Sequence, residues 1–415
     1  MTVFKHRFTV KKPEQTEQKV IQFPHRTVPQ NPAEFHIHFR HKSSPPPEIH
    51  VPPRKGVFGT HRFTVQRAIS LPHEVARFRH EGRPIQFPLR HDLLQKTFVV
   101  NPENPFLTYY VPVGGSFGFV GKHHMQNLPY VGWNVHWVIL EEMARQKMGY
   151  PSQVGVIHPV MFSFFTGLSP EGFNVLKLMH KKIVGFEVAD SDKVSKIAIN
   201  LVNKVDLLMV PSETAKAAFV NSELKRPIEV VRHGVSELFD VPKSPLPTIP
   251  RDGINILYFE VHSTWRKGGD VVEKAMSRIL NEYKNVRLIL RGGVDNRLCR
   301  LPRTTCIQML SDSDLVRLYD SCDILLCPSR GGAFELNVLE GLARGLVCIT
   351  SSYPSIREYA EPYGTHFIRD KGQVVVLPAN PVHVGKGSDP DPDHAYELLK
   401  HVINHLPELK KRAEE

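Results

Sequence analysis

Short apolar runs alternate with helical periods on both sides of a proline-rich stretch, which predicts an α/β protein of two lobes, each a parallel sheet flanked by helices. Three observations carry this reading. From about Phe98 the chain changes from proline- and histidine-rich to β/α alternation. Leu238–Asp252 (LFDVPKSPLPTIPRD) holds four prolines and no period, so it reads as a linker. A second α/β series of similar size then starts at Ile254. Two such units joined by a linker predict facing Rossmann-like lobes with a cleft between them. The predicted boundaries are 98–240 for the first lobe, 241–253 for the linker, 254–385 for the second lobe and 386–415 for a C-terminal turn and helix.

In the first lobe, Leu107–Val113 (LTYYVPV) reads as a buried strand running into the glycine turn Gly114, Gly115 and Gly118. Trp133–Met148 reads as a helix, Val154–Ile157 and Lys182–Val188 as strands, and Ser195–Lys204 as a helix. Asp206–Val210 is a strand closed by Pro211, and Ser212 followed by Glu213 starts another helix. Pro227–Val231 is the last strand of this lobe. In the second lobe, strands are predicted at Ile254–Glu260, Val286–Leu290, Ile324–Cys327 and Leu346–Thr350. Helices are predicted at Asp270–Glu282, Asp314–Ser321 and Leu336–Arg344.

The chain has 415 residues, 41% of them hydrophobic, enough for real cores. Its net charge of +11 is unevenly placed. Residues 1–100 carry 17 basic and 7 acidic groups, whereas the remainder carries 36 and 35 and is balanced. Residues 1–97 therefore read as a basic, Pro/His-rich accessory arm. The phrases HRFTV (His6–Val10, His61–Val65) and IQFP (Ile21–Pro24, Ile85–Pro88) recur within it, and Phe35–His41 alternates like a strand. Such an arm suits an anionic partner, and equally a solvated tail that keeps the protein soluble. The first residues lack the apolar run of a signal peptide, and Val154–Leu168 is too short and too broken to span a bilayer. Five cysteines in odd number without CxxC spacing suggest reduced thiols and a cytoplasmic protein, soluble or peripheral to a membrane.

The chemistry concentrates in Cys327–Glu358. A strand ends at Pro328-Ser329, a glycine-bearing loop follows, and a helix starts near Leu336. Backbone N–H groups reached through glycines at a helix start suit a phosphate or sugar hydroxyls. Glu340, one turn into that helix, can accept two hydrogen bonds from a ribose diol. Upstream, Trp265-Arg266-Lys267-Gly268-Gly269-Asp270 sets two cations just after a strand. Alone it is a basic helix-capping turn; beside the 332–345 stretch it reads as a phosphate site.

Gly332–Gly345, GAFELNVLEGLARG, resembles the donor-site signature EGFGLPVLEAMAxG of family-4 retaining glycosyltransferases, with Phe334, Leu336, Val338, Leu339, Glu340, Ala343 and Gly345 in register. Trp265–Asp270 resembles that family's R-x-x-x-K-G segment. Asp206–Ser212 and Asp323–Ser329 resemble its D-x-x-x-x-P-S strands, and Arg232–Val235 its inter-lobe junction. The resemblance covers about residues 105–370 and is specific in the second lobe. It implies the GT-B fold and transfer of a sugar from a nucleoside-diphosphate donor with retention and without an obligatory metal. Arg266 and Lys267 would neutralise the diphosphate, Gly332, Ala333, Phe334 and Leu336 would hold the sugar and distal phosphate, and Glu340 the ribose. Gly115 would face the donor from the first lobe, and Glu187, ending KIVGFEV, would lie near the acceptor. Gly332 stands where the family has its first glutamate, and Glu335 is the nearby carboxylate able to take over. The acceptor, whether glycan, lipid, protein or nucleic acid, is not named by the sequence.

Two other readings stay open at this point. One is a DNA- or lipid-directed transferase whose basic arm binds the acceptor. The other is a non-catalytic sugar-nucleotide-binding protein, for which Gly332 is the main argument. The runs Asp190–Asp192, Asp312–Asp314 and Asp389–Asp393 each contain D-x-D, but helix capping accounts for the first two and a proline-rich turn for the third, so no metal site is expected. The arm reading has a direct check. Deleting residues 1–97 should leave a cooperatively unfolding protein that still binds a nucleoside-diphosphate donor, measured by calorimetry. Loss of the cooperative transition would make the arm part of the fold.

Overall fold

The computed structural model describes residues 66–67, 75–80, 83–88, 104–112, 115–140, 151–261, 263–292, 296–308 and 310–414. Ahead of the α/β body, β1 (Gln66–Arg67), β2 (Val75–His80) and β3 (Arg83–Pro88) pair antiparallel. The second IQFP phrase lies in β3; the first IQFP phrase, both HRFTV phrases and the alternating 35–41 segment lie outside the described residues.

The first sheet is built from β4 (Phe106–Val111), β5 (Asn134–Ile139), β6 (Ser152–Ile157), β7 (His180–Phe186), β8 (Leu207–Val210) and β9 (Ile228–Val230), in the order β5-β4-β6-β7-β8-β9. Helices α1 (Gly115–Asn127), α2 (Val160–Thr166), α3 (Pro170–Met179), α4 (Lys196–Val202) and α5 (Glu213–Asn221) fall between these strands. Ser195 and Ser212 cap α4 and α5, their hydroxyls accepting from Ala198 N and Ala215 N. The described chain falls into two compact units: one includes Ile157–Phe165 and Lys182–Glu415, the other Thr166–Lys181 and the described residues before Ile157.

The second sheet comprises β10 (Ile254–Glu260), β11 (Val286–Gly292), β12 (Thr304–Ile307), β13 (Ile324–Cys327), β14 (Val347–Ser351) and β15 (His366–Ile368), all parallel. Counted within the sheet, their order is 3-2-1-4-5-6, the doubly wound order of dinucleotide-binding folds. Helices α6 (Gly269–Glu282), α7 (Asp312–Asp320), α8 (Leu336–Ala343) and α9 (Pro354–Ala360) follow β10, β12, β13 and β14. The strands read as continuous apolar runs because both faces are covered. Ile256, Leu288, Leu290, Ile324, Leu326 and Ile349 enter one core; the alternate residues Leu257, Ile289, Leu325 and Cys348 enter the other. Strand order reverses between β10 and β13, so the helices that follow them, α6 and α8, pack into different cores, and the carboxyl ends of these two strands mark the switch point of the sheet.

Three sequence expectations are corrected. Trp133–Met148 is not a helix throughout, because Asn134–Ile139 forms β5, parallel to β4 with Val135 opposite Leu107 and Trp137 opposite Tyr109. Cys299 and Cys306 are joined in a disulfide, while Cys322, Cys327 and Cys348 are free and buried. A 3-10 turn at Arg297–Arg300 brings Cys299 to 6.0 Å, Cα to Cα, from Cys306 on β12, inside the ordinary disulfide span. Cysteine usage therefore no longer argues for a reducing compartment. Residues 386–415, read as a turn and helix, begin with a strand: β17 (Lys386–Pro390) pairs antiparallel with β16 (Asp370–Val375). Beyond them, α10 (Pro392–Asn404) inserts Ala395, Tyr396, Leu399 and Val402 into the first core, and α11 (Leu406–Glu414) closes the chain. Finally, Ser195, not the Asp190–Asp192 run, caps α4.

The proline-rich linker is strapped to the second sheet's helices. Phe239, Leu246 and Ile249 are buried in the second core. Arg344, ion-paired to Asp320 at 2.7 Å, donates from Nη1 to the carbonyls of Phe239 (2.7 Å) and Val241 (2.8 Å). Ser244 N donates to Asp320 Oδ2, and Leu246 N to Ser321 Oγ. Among the described residues no helix is long and apolar enough to cross a membrane.

The C-terminal helices bear on stability in a measurable way. Leu399 is fully buried, so Leu399→Ala should cost about 2–5 kcal/mol in denaturant unfolding. A cost within about 0.5 kcal/mol, the range of surface substitutions, would detach α10 from the core.

Candidate functional site

The two loops at the point of strand reversal carry the residues singled out from sequence. After β10, the 263–268 segment winds into a tight turn: Lys267 N donates to Ser263 O, Gly268 N to Trp265 O and Gly269 N to Thr264 O. Gly268 ends the turn at φ +74°, and a Cβ there would meet the Pro328 carbonyl oxygen at 2.1 Å. Only glycine fits, on grounds of both conformation and space. The turn thereby sits against the loop after β13 and starts α6.

That second loop is stapled to the first. Arg330 N donates to Arg266 O at 2.7 Å, and Arg330 Nη1 to Trp265 O at 2.8 Å. The Arg330 guanidinium lies 3.6 Å over the Trp265 ring and holds Asp270 through both nitrogens, at 2.7 and 2.9 Å. Arg266 Nη1 donates back to Gly331 O at 3.2 Å. The following carbonyls are also taken: Gly332 O by Ser355 Oγ (2.6 Å), Ala333 O by Ser212 Oγ (2.7 Å) and Glu335 O by the Tyr359 hydroxyl (2.8 Å). With its oxygens tied to neighbouring elements, the loop holds one conformation up to the start of α8.

Glu335 is the centre of the charge arrangement. Its side chain is 3% exposed. Oε2 lies 2.5 Å from Lys267 Nζ, Oε1 accepts from Ser329 Oγ at 2.8 Å, and Arg266 Nη1 is 3.7 Å from Oε1. A Cβ added to Gly332 would stand 2.7 Å from Glu335 Oε1 and 3.5 Å from Arg266 Nη1. The Glu335 carboxylate thus occupies the space a side chain at 332 would enter. At Gly332, where the signature it resembles has a glutamate, the nearby carboxylate is thus delivered from three residues downstream.

Asp190 adds a second carboxylate that sequence reasoning had set aside as helix capping. It lies 3.6 Å from Arg266 Nε, and its Oδ1 accepts from Ala333 N at 3.3 Å. Burial alone would raise the Asp190 carboxyl, but Arg266, His383 and Lys267 together hold it below its ordinary range. No local pattern marks Asp190, since its partners are remote in sequence. Glu187, just beyond β7, is 1% exposed. Its Oε2 accepts from Met161 N at 2.7 Å and Oε1 from Val188 N at 2.9 Å. Burial pushes this carboxyl up to about 8, against the pull of those N–H groups and with help from Asp190.

Glu340 lies on α8, 7% exposed, and its Oε2 accepts from the Tyr319 hydroxyl at 2.6 Å. Phe334 stacks on Tyr359 (4.4 Å between ring centres) and meets His233 edge-on, and His233 in turn stacks on Phe186. Leu336 opens α8 and is half-buried. The structure therefore brings Arg266, Lys267, Asp190, Glu335, Gly332 and Ala333 together, with Phe334, Leu336 and Glu340 on the same loop and helix. Gly115 belongs to the other compact unit, where it opens α1 at φ +71° with open space around its Cα. Asp312 and Asp314 lie in the first turn of α7 beneath the Ser311 cap, and Asp391 caps α10.

Residues 254–381 match the family described as glycosyl transferases group 1. A protein of Sulfolobus islandicus filamentous virus (isolate Iceland/Hveragerdi), named as a glycosyltransferase, is 34% identical over 242 residues, covering 56% of this chain and 67% of its own. Among solved structures, sucrose-phosphate synthase from Thermosynechococcus elongatus is similar at a TM-score of 0.55 and 13% identity, over 74% of this chain and 93% of its own. A structure described as trehalose-6-phosphate from E. coli bound with UDP-2-fluoro glucose is similar at a TM-score of 0.51 and 11% identity, over 74% of this chain and 94% of its own.

Glu187 gives the site a pH signature. A carboxyl whose folded value is raised contributes most below its ordinary value of 4.5, and that contribution is lost as pH rises through about 8. Glu187→Gln removes the dependence and adds a constant offset for the lost acceptor. The stability of this variant relative to the parent should therefore rise between about pH 5 and about pH 8 in denaturant titrations. A flat difference would mean that Glu187 ionises as freely folded as unfolded.

Proposed function

Because the chain belongs to the group 1 glycosyl transferases and is a glycosyltransferase of GT-B fold, we propose that it transfers a sugar from a nucleoside-diphosphate donor with retention of configuration. The observation that carries this is the convergence, at the strand reversal of a doubly wound sheet, of Arg266 and Lys267 with the glycine loop 331–335. Anionic ligands of such sheets sit at this place, against loop N–H groups. In the proposed reaction the sugar–phosphate bond breaks and negative charge grows on the leaving diphosphate. Arg266 and Lys267, fixed before the donor arrives, stabilise that growing charge, so no metal is called for. Glu335, standing in the space of the missing side chain at 332, takes the sugar-facing role, and Glu340 accepts from the ribose hydroxyls. Glu187, with a carboxyl near 8, is the acceptor-side group able to exchange a proton near neutral pH. The Glu335 arrangement favours an active enzyme over a non-catalytic nucleotide binder. The acceptor follows from none of these residues, and the cytoplasm as its place of action is part of the same proposal.

The test is release of nucleoside diphosphate from a panel of nucleotide sugars, UDP-sugars first. Lys267→Ala should lower kcat by about 10²-fold or more, the size of losing one preorganised donor to a developing charge, and should change donor affinity less. Arg266→Lys should not restore full turnover, because an ammonium cannot reproduce the guanidinium fork. Near-normal turnover in both variants, with only thermal stability reduced, would make this turn a helix cap and remove it from the reaction.

A further inference from the structure

Glu340 does not stand alone in its part of the site. Its Oε2 is 2.6 Å from the hydroxyl of Tyr319, which lies 21 residues earlier on α7. Tyr319 is fully buried, and its ring is wedged between Phe259 (5.6 Å, stacked) and Phe239 (5.8 Å, tilted). A phenol held by two aromatic rings has one direction in which to donate. Glu340 Oε1 makes no hydrogen bond among the described residues. The carboxylate is thus anchored by one oxygen and turned by that anchor.

We infer that Tyr319 is a positioning residue of the donor site: its hydroxyl fixes Glu340 by one oxygen and so presents the other to the ribose diol of a nucleoside diphosphate. This rests on the donor reading above and adds to it a second residue, with no expected ligand contact of its own. The surroundings give the inference a handle. Burial pushes the Glu340 carboxyl up to about 7; the Tyr319 hydroxyl pulls it down and Asp312, at the start of α7, pushes it further up. Around the phenol itself lie Arg291 on β11 and the thiols of Cys348 and Cys327, which stay protonated because burial raises them. A ribose diol donates to the ionised carboxylate. Affinity is therefore full above the Glu340 value and falls as pH drops through it. Without the phenol's hydrogen bond that fall moves to higher pH.

The experiment measures calorimetric affinity of the full chain for UDP, GDP and ADP and, for the tightest of them, its 2′-deoxy form, from about pH 6 to about pH 9. In the parent, the ribonucleotide should weaken below about pH 7 and the 2′-deoxy form should show a smaller step. Tyr319→Phe should bind within about twofold of the parent at the alkaline end and about tenfold more weakly near neutrality, the scale of one hydrogen bond to a charged acceptor. Site-specific 3-fluorotyrosine at 319, a stronger donor of nearly the same shape, should move the step to lower pH, and it serves where the phenylalanine variant does not fold. A uniform loss at every pH, or pH profiles unchanged in both variants while Glu340→Ala weakens binding, overturns the positioning role alone. If Glu340→Ala and the 2′-deoxy form both bind like their parents, or no nucleotide binds, the donor reading fails and this inference with it.

Discussion

A carboxylate withdrawn from water must be paired, and the pairing of Glu335 is the constraint on which the candidate site is organised. Removing one partner from a buried ion pair typically costs about 3–5 kcal/mol, so the geometry around it has little freedom. Lys267 reaches Glu335 only because the turn after β10 is tight, and the turn is tight only because Gly268 takes a positive φ beneath the Pro328 carbonyl. Ser329 and Arg266 close the remaining sides. The bare Cα at Gly332 is the complement of this arrangement, since any side chain there would collide with the carboxylate.

The same cluster is close to electrical balance. Two cations, Arg266 and Lys267, face two carboxylates, Asp190 and Glu335. On the proposed reading, a diphosphate entering here would add negative charge to a balanced cluster, so its binding would lean on fixed dipoles as well as on net charge. The loop supplies them: its carbonyls are tied back to Ser212, Ser355, Tyr359 and Arg266, which fixes the orientation of the intervening N–H groups. Preorganisation of this kind is more useful at the moment of bond breaking than a surplus of loosely held charge.

Much of the fold was legible because strands buried on both faces appear as short apolar runs between turn residues. Ile254–Glu260 and Ile324–Cys327 are strands at the boundaries read from sequence, and Ser195 and Ser212 announce their helices by side-chain chemistry. Trp133–Met148 was misread because its apolar residues fit a helical period as well as a two-residue one, and pairing with β4 decided for the strand. The Thr304–Ile307 strand is short and polar and carries no such signal. Within the site, Arg266, Lys267 and the 332–345 stretch were readable through local pattern and resemblance. Asp190 and Tyr319 were not, because each matters through a partner brought close only by the finished fold. The disulfide between Cys299 and Cys306 escaped for the same reason.

The strapped linker has a mechanical meaning. A proline-rich connection is usually pictured as a slack tether, yet here Arg344 and Asp320 bind it to the second sheet's helices from Phe239 onward. Between β9 and this strapped stretch lie only the six residues 231–236, which belong to no strand or helix. His233 in that segment touches Phe186 on one side and Phe334 on the other through ring faces and edges. The connection thus serves as a splint and not as a leash: hydrogen bonds and an ion pair fix its far end, and ring packing fills in beside the few residues before it.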